Sequence, residues 1–295
     1  MTPLSVSLRR RFSARSWLIG LAASIAATFA QAQVTTIYSN DFSTGIDGWY
    51  SSAASGLSWN SGALTYTATN SSHILTYFDP VTLNLGQKLE VTYKISYSGV
   101  GGTSSSSVAT GLFDSHGSKV TASGLGVSDA IYTGYTGYRA NQFPKLTIAG
   151  DGTFSNPIRY WSRDGGAASL MTGNGTAATV DQSSKPLTGG DYFWIESGVA
   201  YLTTYSVERT LDDEIVLTFA FSNGDVSYYR TYNLIADETT PFMESYYTFD
   251  TFGFALNTAF FSAVTIDDVN ITLTTTAIPE PSTYALIGGL GALLA

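Results

Sequence analysis

Between Leu89 and Tyr97 the chain alternates without a break: Leu89, Val91, Tyr93, Ile95 and Tyr97 are apolar, while Glu90, Thr92, Lys94 and Ser96 are polar. A period of two puts the two sets on opposite faces of an extended strand, and a strand with one apolar face needs a second layer to cover it. Glu214 to Phe221 repeats the pattern with Ile215, Leu217, Phe219 and Phe221 on one face. Asn223-Gly224 then has the chemistry of a two-residue hairpin turn, which predicts a partner strand from Val226 to Asn233. Further strands are predicted at Leu64 to Ala68, His73 to Phe78, Val108 to Phe113, Tyr192 to Glu196, Val199 to Arg209, Thr251 to Leu256 and Ala263 to Leu273. No stretch between the two ends of the chain sustains a helical period for three turns. Many short strands separated by Gly, Ser, Thr and Asn predict an all-β fold, an antiparallel two-sheet jelly-roll sandwich. From Ser115 to Asp191 the pattern loosens into Gly-, Ser- and Thr-rich sequence, which predicts short strands and excursions over one face, where binding surfaces usually lie.

The two ends of the chain read differently from this body. Arg9, Arg10, Arg11 and Arg15 precede an apolar stretch from Trp17 to Phe29, and Ala30-Gln31-Ala32 has the small-x-small form of a cleavage site. That order predicts a secretory signal peptide over residues 1–32 and a β-sandwich domain over residues 33–276. At the other end, Pro279-Glu280-Pro281 cannot continue a strand or helix, since each proline fixes its backbone and lacks an N–H. The uncharged run from Tyr284 to Ala295 has the composition of a membrane-entering helix, but its twelve residues fall short of the roughly 20 that span a bilayer.

The ending Pro279-Glu280-Pro281-Ser282-Thr283 resembles the PEP-CTERM sorting signal of bacterial exosortase substrates. In that family a full transmembrane helix and an arginine cluster follow, so residues 277–295 read as a truncated form of the signal. The resemblance implies an exosortase-type processing enzyme as partner, transient membrane insertion through the C-terminal segment, and a destination at the cell surface or in an extracellular polysaccharide matrix. Asp41-Phe42 with Gly48-Trp49, Gly111-Leu112-Phe113-Asp114-Ser115, Gly134-Tyr135-Thr136-Gly137-Tyr138 and Asp267-Asp268-Val269 are similar to the concanavalin-like or carbohydrate-binding-module-like bodies carried by other PEP-CTERM proteins.

Composition narrows the partners. Everything after the signal peptide carries ten basic and 23 acidic residues, a net charge of −13, which makes nucleic acid and anionic membrane surfaces poor partners. The chain has no cysteine, so its stability comes from the core, without disulfides, despite an oxidising destination.

Three constellations are candidates for chemistry. In the last strand Val264 and Ile266 are even-numbered while Val269, Ile271 and Leu273 are odd, so one extra residue must be absorbed at Asp267-Asp268 as a β-bulge. With Asp41 from a neighbouring first strand these aspartates supply hard oxygen ligands suited to one structural calcium ion, and the family resemblance implies the same ion; the alternative is a solvated acidic bulge guarding a sheet edge. The second constellation is aromatic and polar: Arg159, Tyr160, Trp161, Arg163 and Asp164 for glycan contact, with Tyr132, Tyr135, Tyr138, Trp59 and Trp194 as further rings. Sugars present flat C–H faces and many hydroxyls, so rings beside planar hydrogen-bonding groups suit them, although strand aromatics also serve packing alone. The third, catalytic, constellation is weak. Asp212, Asp213 and Glu214 are adjacent and so point to opposite faces, His73 and His116 lack a motif, and no nucleophile elbow accompanies the serines. The sequence therefore predicts an exported glycan-binding protein with no catalytic residue. The alternatives are a polysaccharide lyase or hydrolase using His116, and a purely structural or adhesive surface protein.

Overall fold

The computed structural model describes residues 32–53, 55–67, 72–100, 108–142, 158–166, 169–170, 177–178, 195–225, 227–234, 245–256 and 261–276. The chain divides into two compact units, Met1–Gln33 with Thr275–Ala295, and Val34–Thr274. Residues 1–31 of the predicted signal peptide, Pro279, Glu280, Pro281 and the terminal apolar run lie outside the described residues.

The larger unit is an antiparallel sandwich. Its strands are β1 (Gln33–Asn40), β2 (Trp49–Ser51), β3 (Leu57–Asn60), β4 (Ala63–Thr67), β5 (Ser72–Thr82), β6 (Gln87–Ser98), β7 (Val108–Asp114), β8 (Thr136–Gln142), β9 (Ile158–Asp164), β10 (Ala177–Ala178), β11 (Ala200–Arg209), β12 (Ile215–Ser222), β13 (Ser227–Asn233), β14 (Thr248–Leu256) and β15 (Ala263–Thr275). One sheet of eight strands runs β13-β12-β11-β6-β15-β4-β3, with β1 also paired to β15. The other, of seven, runs β10-β9-β8-β7-β14-β5-β2. The only described helix is a 3-10 turn at Ala130–Gly134, capped by the Asp129 carboxylate, which accepts from the Ile131 N–H.

The alternation that predicts the sandwich is the alternation that builds it. Leu89, Val91, Tyr93, Ile95 and Tyr97 of β6 and Ile215, Leu217, Phe219 and Phe221 of β12 all turn inward and are buried. They meet the inner face of the seven-stranded sheet, where Tyr93 lies edge-on to Phe254 at 5.0 Å between ring centroids. Phe252 and Phe254 contact each other at 4.8 Å, and Trp49 stacks on Phe254 at 6.2 Å. Each such ring removed from water stabilises the fold by roughly 1.5–3 kcal/mol, and a core of this size accounts for a stable fold without disulfides.

Two bulges adjust the faces. Val264 and Ile266 are buried, then Val269 and Ile271, and Asp268 between them is exposed with a φ of 50°. The extra residue falls where β15 has finished pairing with β4, whose last partner pair is Ile266 with Leu64. A second register shift in β14, between Phe249 and Thr251, leaves Phe249 and Phe252 in the core and gives Asp250 its own direction. Two expectations change. β8 and β9 are regular, fully paired strands inside the loosened region. The β12–β13 connection is four residues, because pairing resumes at Ser222 with Ser227 and the Asn223 side chain accepts from the Asp225 N–H at 3.1 Å.

Candidate functional site

The outer face of the seven-stranded sheet is built differently from the inner one. Strand pairing lines up His73, Ala255, Ala109 and Asn141 in one row across β5, β14, β7 and β8. The next row is Leu75, Gly253, Gly111, Arg139 and Trp161, reaching β9. The third is Tyr77, Thr251, Phe113, Gly137 and Arg163. The two central strands thus contribute Ala and Gly to two of these rows, which leaves room above them for rings. At Gly111 a Cβ would stand 2.4 Å from the Phe113 ring, so only glycine lets that ring lie down on the sheet.

The segment Ser115–Tyr135 covers part of this face. Val120, Tyr132 and Tyr135 pack with Leu75, Ala109, Phe113 and Leu170 in a second small core. Its polar fastenings are numerous. The buried Asp250 carboxylate accepts from the Ser115 N–H at 2.8 Å, the Ser115 hydroxyl at 2.6 Å and the Thr251 hydroxyl at 2.7 Å. The Tyr77 hydroxyl accepts from the Val120 N–H at 2.6 Å and bonds the Tyr135 hydroxyl at 2.8 Å. Arg163 donates to the carbonyls of Ser169 and Tyr132, so its guanidinium ties both covering pieces to β9.

Beside this cover lies a group of polar side chains with unmet hydrogen-bonding capacity. The His73 ring nitrogens, Asn141 Oδ1 and Trp161 Nε1 are buried and have no hydrogen-bond partner. Arg139, 6% exposed, stacks its guanidinium over the Trp161 ring at 5.0 Å from the centroid. Burial and then the like charge of Arg163 lower the Arg139 pKa to about 10. Burial, then Arg139, then Arg163 lower that of His73 to about 3, so this imidazole is neutral. Its ring lies edge-on to Tyr132 at 5.9 Å, and burial raises the Tyr132 phenol to about 12. A neutral imidazole this weakly basic and phenols this weakly acidic are poor proton-transfer groups near neutral pH. What the arrangement offers instead is fixed donors and acceptors on a sheet.

The residues singled out for glycan contact divide between the faces. Trp161 and Arg163 are on the outer face; Asp164 is exposed at the strand end. Tyr160 is a correction. Its parity turns it into the core, fully buried, where it stacks on Tyr232 at 6.0 Å and donates to the Arg230 carbonyl at 2.6 Å. Arg159 pairs with Asn141 in the ladder. Tyr138 is likewise a core residue, and Trp59 is half exposed with its indole N–H donating to the Phe42 carbonyl at 2.6 Å. Trp194 lies outside the described residues. The sequence reading missed Arg139 and Asn141, and weighed His73 only as a catalytic group. The signal available was Tyr138-Arg139-Ala140-Asn141, an alternation that puts polar groups on the second face of a strand.

The proposed calcium ligands do not converge. Asp268 is salt-bridged to Lys94, and Asp267 Oδ1 accepts from the Asp268 N–H at 2.8 Å. Asp41 Oδ1 accepts from the Ser43 N–H at 3.0 Å, a bond that holds the fully exposed carboxyl below its ordinary range. Among the described residues no group of three or more His, Cys, Asp or Glu side chains is placed to share a metal ion. An ammonium group already stands where a cation was expected, and the bulge reads as an exposed acidic turn. His116 sits in an exposed turn with a φ of 49°, its Nδ1 3.4 Å from Asp114 Oδ2 and its Nε2 3.1 Å from the Thr136 hydroxyl. Asp213 pairs with Arg209 at 2.7 Å and Glu214 accepts from Asn233 at 2.6 Å.

No family model matches the chain. No curated protein matches it either. Among solved structures it is similar to a lectin from Bauhinia forficata in complex with GalNAc, at 9% identity and a TM-score of 0.44 over 83% of this chain and 100% of that one. Peanut lectin with a nine-residue peptide gives 13% and 0.44 over 84% and 100%, and the metal-free lectin I-B4 from Griffonia simplicifolia 13% and 0.43 over 82% and 99%. At these scores the likeness carries no argument about ligands.

Proposed function

We propose that this is an exported protein that binds extracellular glycans on the outer face of its seven-stranded sheet and does not cleave them. The observation that carries the reading is the set of unmet donors and acceptors beside Trp161. An indole N–H and a guanidinium require acceptors, and Asn141 Oδ1 requires a donor. A buried polar group without a partner costs about 1–3 kcal/mol, so a ligand that satisfies several at once gains that much from each. Sugar hydroxyls donate and accept from one atom, which suits such a mixed set. Export rests on the basic-then-apolar order of residues 1–32. Handling by an exosortase-type enzyme, with transient membrane insertion, rests on Pro279-Glu280-Pro281 and the apolar run after it. Binding without cleavage is supported by the electrostatics of His73 and Tyr132, since burial leaves the imidazole neutral and the phenol protonated near neutral pH.

Retention of the full-length protein on a panel of immobilised bacterial and algal polysaccharides tests this. Trp161→Ala is expected to weaken retention at least tenfold, with no new chain ends released by either protein. Equal retention by both proteins would move the site elsewhere, and new chain ends would make the protein an enzyme.

A further inference from the structure

We infer that the sugar held at this site is acidic, with its carboxylate seated on the Arg139 guanidinium; the inference rests on the glycan reading above and specifies its ligand class. Arg139 is nine-tenths buried, and among the described residues it has no hydrogen bond or ion pair. Its one described contact is the face of Trp161, 5.0 Å away. A guanidinium carries five N–H donors in a rigid fork that matches the two oxygens of a carboxylate.

Among the described residues no acid is paired with it. The other cation of this face, Arg163, spends its donors on two neutral carbonyls, those of Ser169 and Tyr132. Asp164, the next residue along β9, is exposed at the strand end and acts on Arg163. Asp250, the buried carboxylate of this sheet, is bonded to Ser115 and Thr251 with Lys119 at 3.6 Å. Residues 33–295 carry a net charge of −13, and yet the Arg139 guanidinium is buried here with no ion pair among the described residues. Taking a charge out of water is costly unless a counter-charge arrives, and a bound carboxylate is the counter-charge that this geometry lacks. Asn141 Oδ1, one ladder row away from Arg139 on the same strand face, is an unpaired acceptor that a hydroxyl of the same sugar would satisfy.

The competing demand on an unpaired buried charge gives the test its discrimination. Replacing Arg139 with an apolar side chain of similar length removes a destabilising charge, so Arg139→Met is expected to melt at or above the temperature of the unaltered protein. The full-length protein and this variant are titrated calorimetrically with an oligogalacturonate, with its carboxyl-reduced neutral counterpart, and with a sulfated oligosaccharide of equal length. The expected result is at least tenfold tighter binding of the oligogalacturonate than of the neutral or sulfated sugar by the unaltered protein, and loss of that preference in Arg139→Met. Should the variant fold poorly, Arg139→Lys serves in its place, because it keeps the charge without the fork and is expected to lose most of the preference. Equal affinity for the acidic and neutral sugars would overturn the carboxylate while leaving glycan binding intact. Equal affinity for the sulfated sugar would overturn the preference for a planar anion. Binding of none of the three would overturn the glycan reading and this inference with it.

Discussion

Gly137→Val is expected to lower the melting temperature of the full-length protein by about 10 °C or more. Gly137 opens β8 at a φ of 144°, a conformation that side chains with a Cβ rarely adopt. A Cβ there would stand 2.3 Å from the Leu112 carbonyl oxygen and 2.8 Å from Phe113 Cα, both in the backbone of β7. β7 cannot move aside, because it is laddered to β14 on its other edge from Val108 to Phe113. Backbone strain and overlap together put the loss on the order of 4 kcal/mol or more, a large part of the stability of an ordinary domain. Circular dichroism on heating reads it, and a melting temperature within a few degrees of the unaltered protein would refute the close approach of β7 and β8. Any partial relief that shifts β8 also displaces Arg139 and Asn141, so the fold and the site fail together.

The second large effect is an acid limb set by His73. Its folded pKa is lowered to about 3, first by burial and then by the charges of Arg139 and Arg163, against an ordinary value of 6.5. Between those values the unfolded chain binds a proton that the folded chain refuses. Stability is therefore complete above pH 6.5 and declines as the pH falls toward 3. The slope is up to about 1.4 kcal/mol per pH unit. Ordinary carboxylates titrate at about 3.9–4.3, so the interval from pH 6.5 to about 4.5 belongs mainly to histidine. Denaturant midpoints over that interval are expected to fall for the unaltered protein and to stay nearly level for His73→Leu, which fills the same space without a titrating group. Parallel pH profiles for the two proteins would contradict the burial of a neutral imidazole beneath Tyr132.

Which parts of this were legible in the sequence follows from how many neighbours a residue needs. β6 and β12 state their faces alone, through Leu89 to Tyr97 and Ile215 to Phe221, because one buried face against one polar face is a local pattern. The parity change at Asp267-Asp268 is equally local, and the left-handed φ of Asp268 is its consequence. β8 and β9 were harder to read because both of their faces are largely covered. Tyr138, Ala140 and Tyr160 face the core, while Arg139 and Arg163 are buried on the outer face, Arg163 bonded to the Tyr132 carbonyl of the covering segment. Polar residues on a covered face look like residues on a solvated one until the cover is known. For the same reason Tyr160 and Trp161 read together as a sugar-binding pair, although adjacent positions on a strand must part to opposite faces. The calcium set erred in another way. Asp41, Asp267 and Asp268 come from strands that do neighbour one another, but Lys94 on β6 had no sequence signal tying it to Asp268.

Glycan binding on the outer face at β8 and β9 is read by amide hydrogen exchange of the full-length protein with and without a retained polysaccharide. The account predicts slowed exchange in Thr136–Gln142, Ile158–Asp164 and the 3-10 turn at Ala130–Gly134, with β11 to β13 unchanged. Among the described residues a shallow apolar groove lies on the outer face of the eight-stranded sheet, where Leu202 and Tyr229 are about half exposed beside Thr204 and Ala220. Protection confined to that groove, with β8 and β9 exchanging as before, would contradict the account.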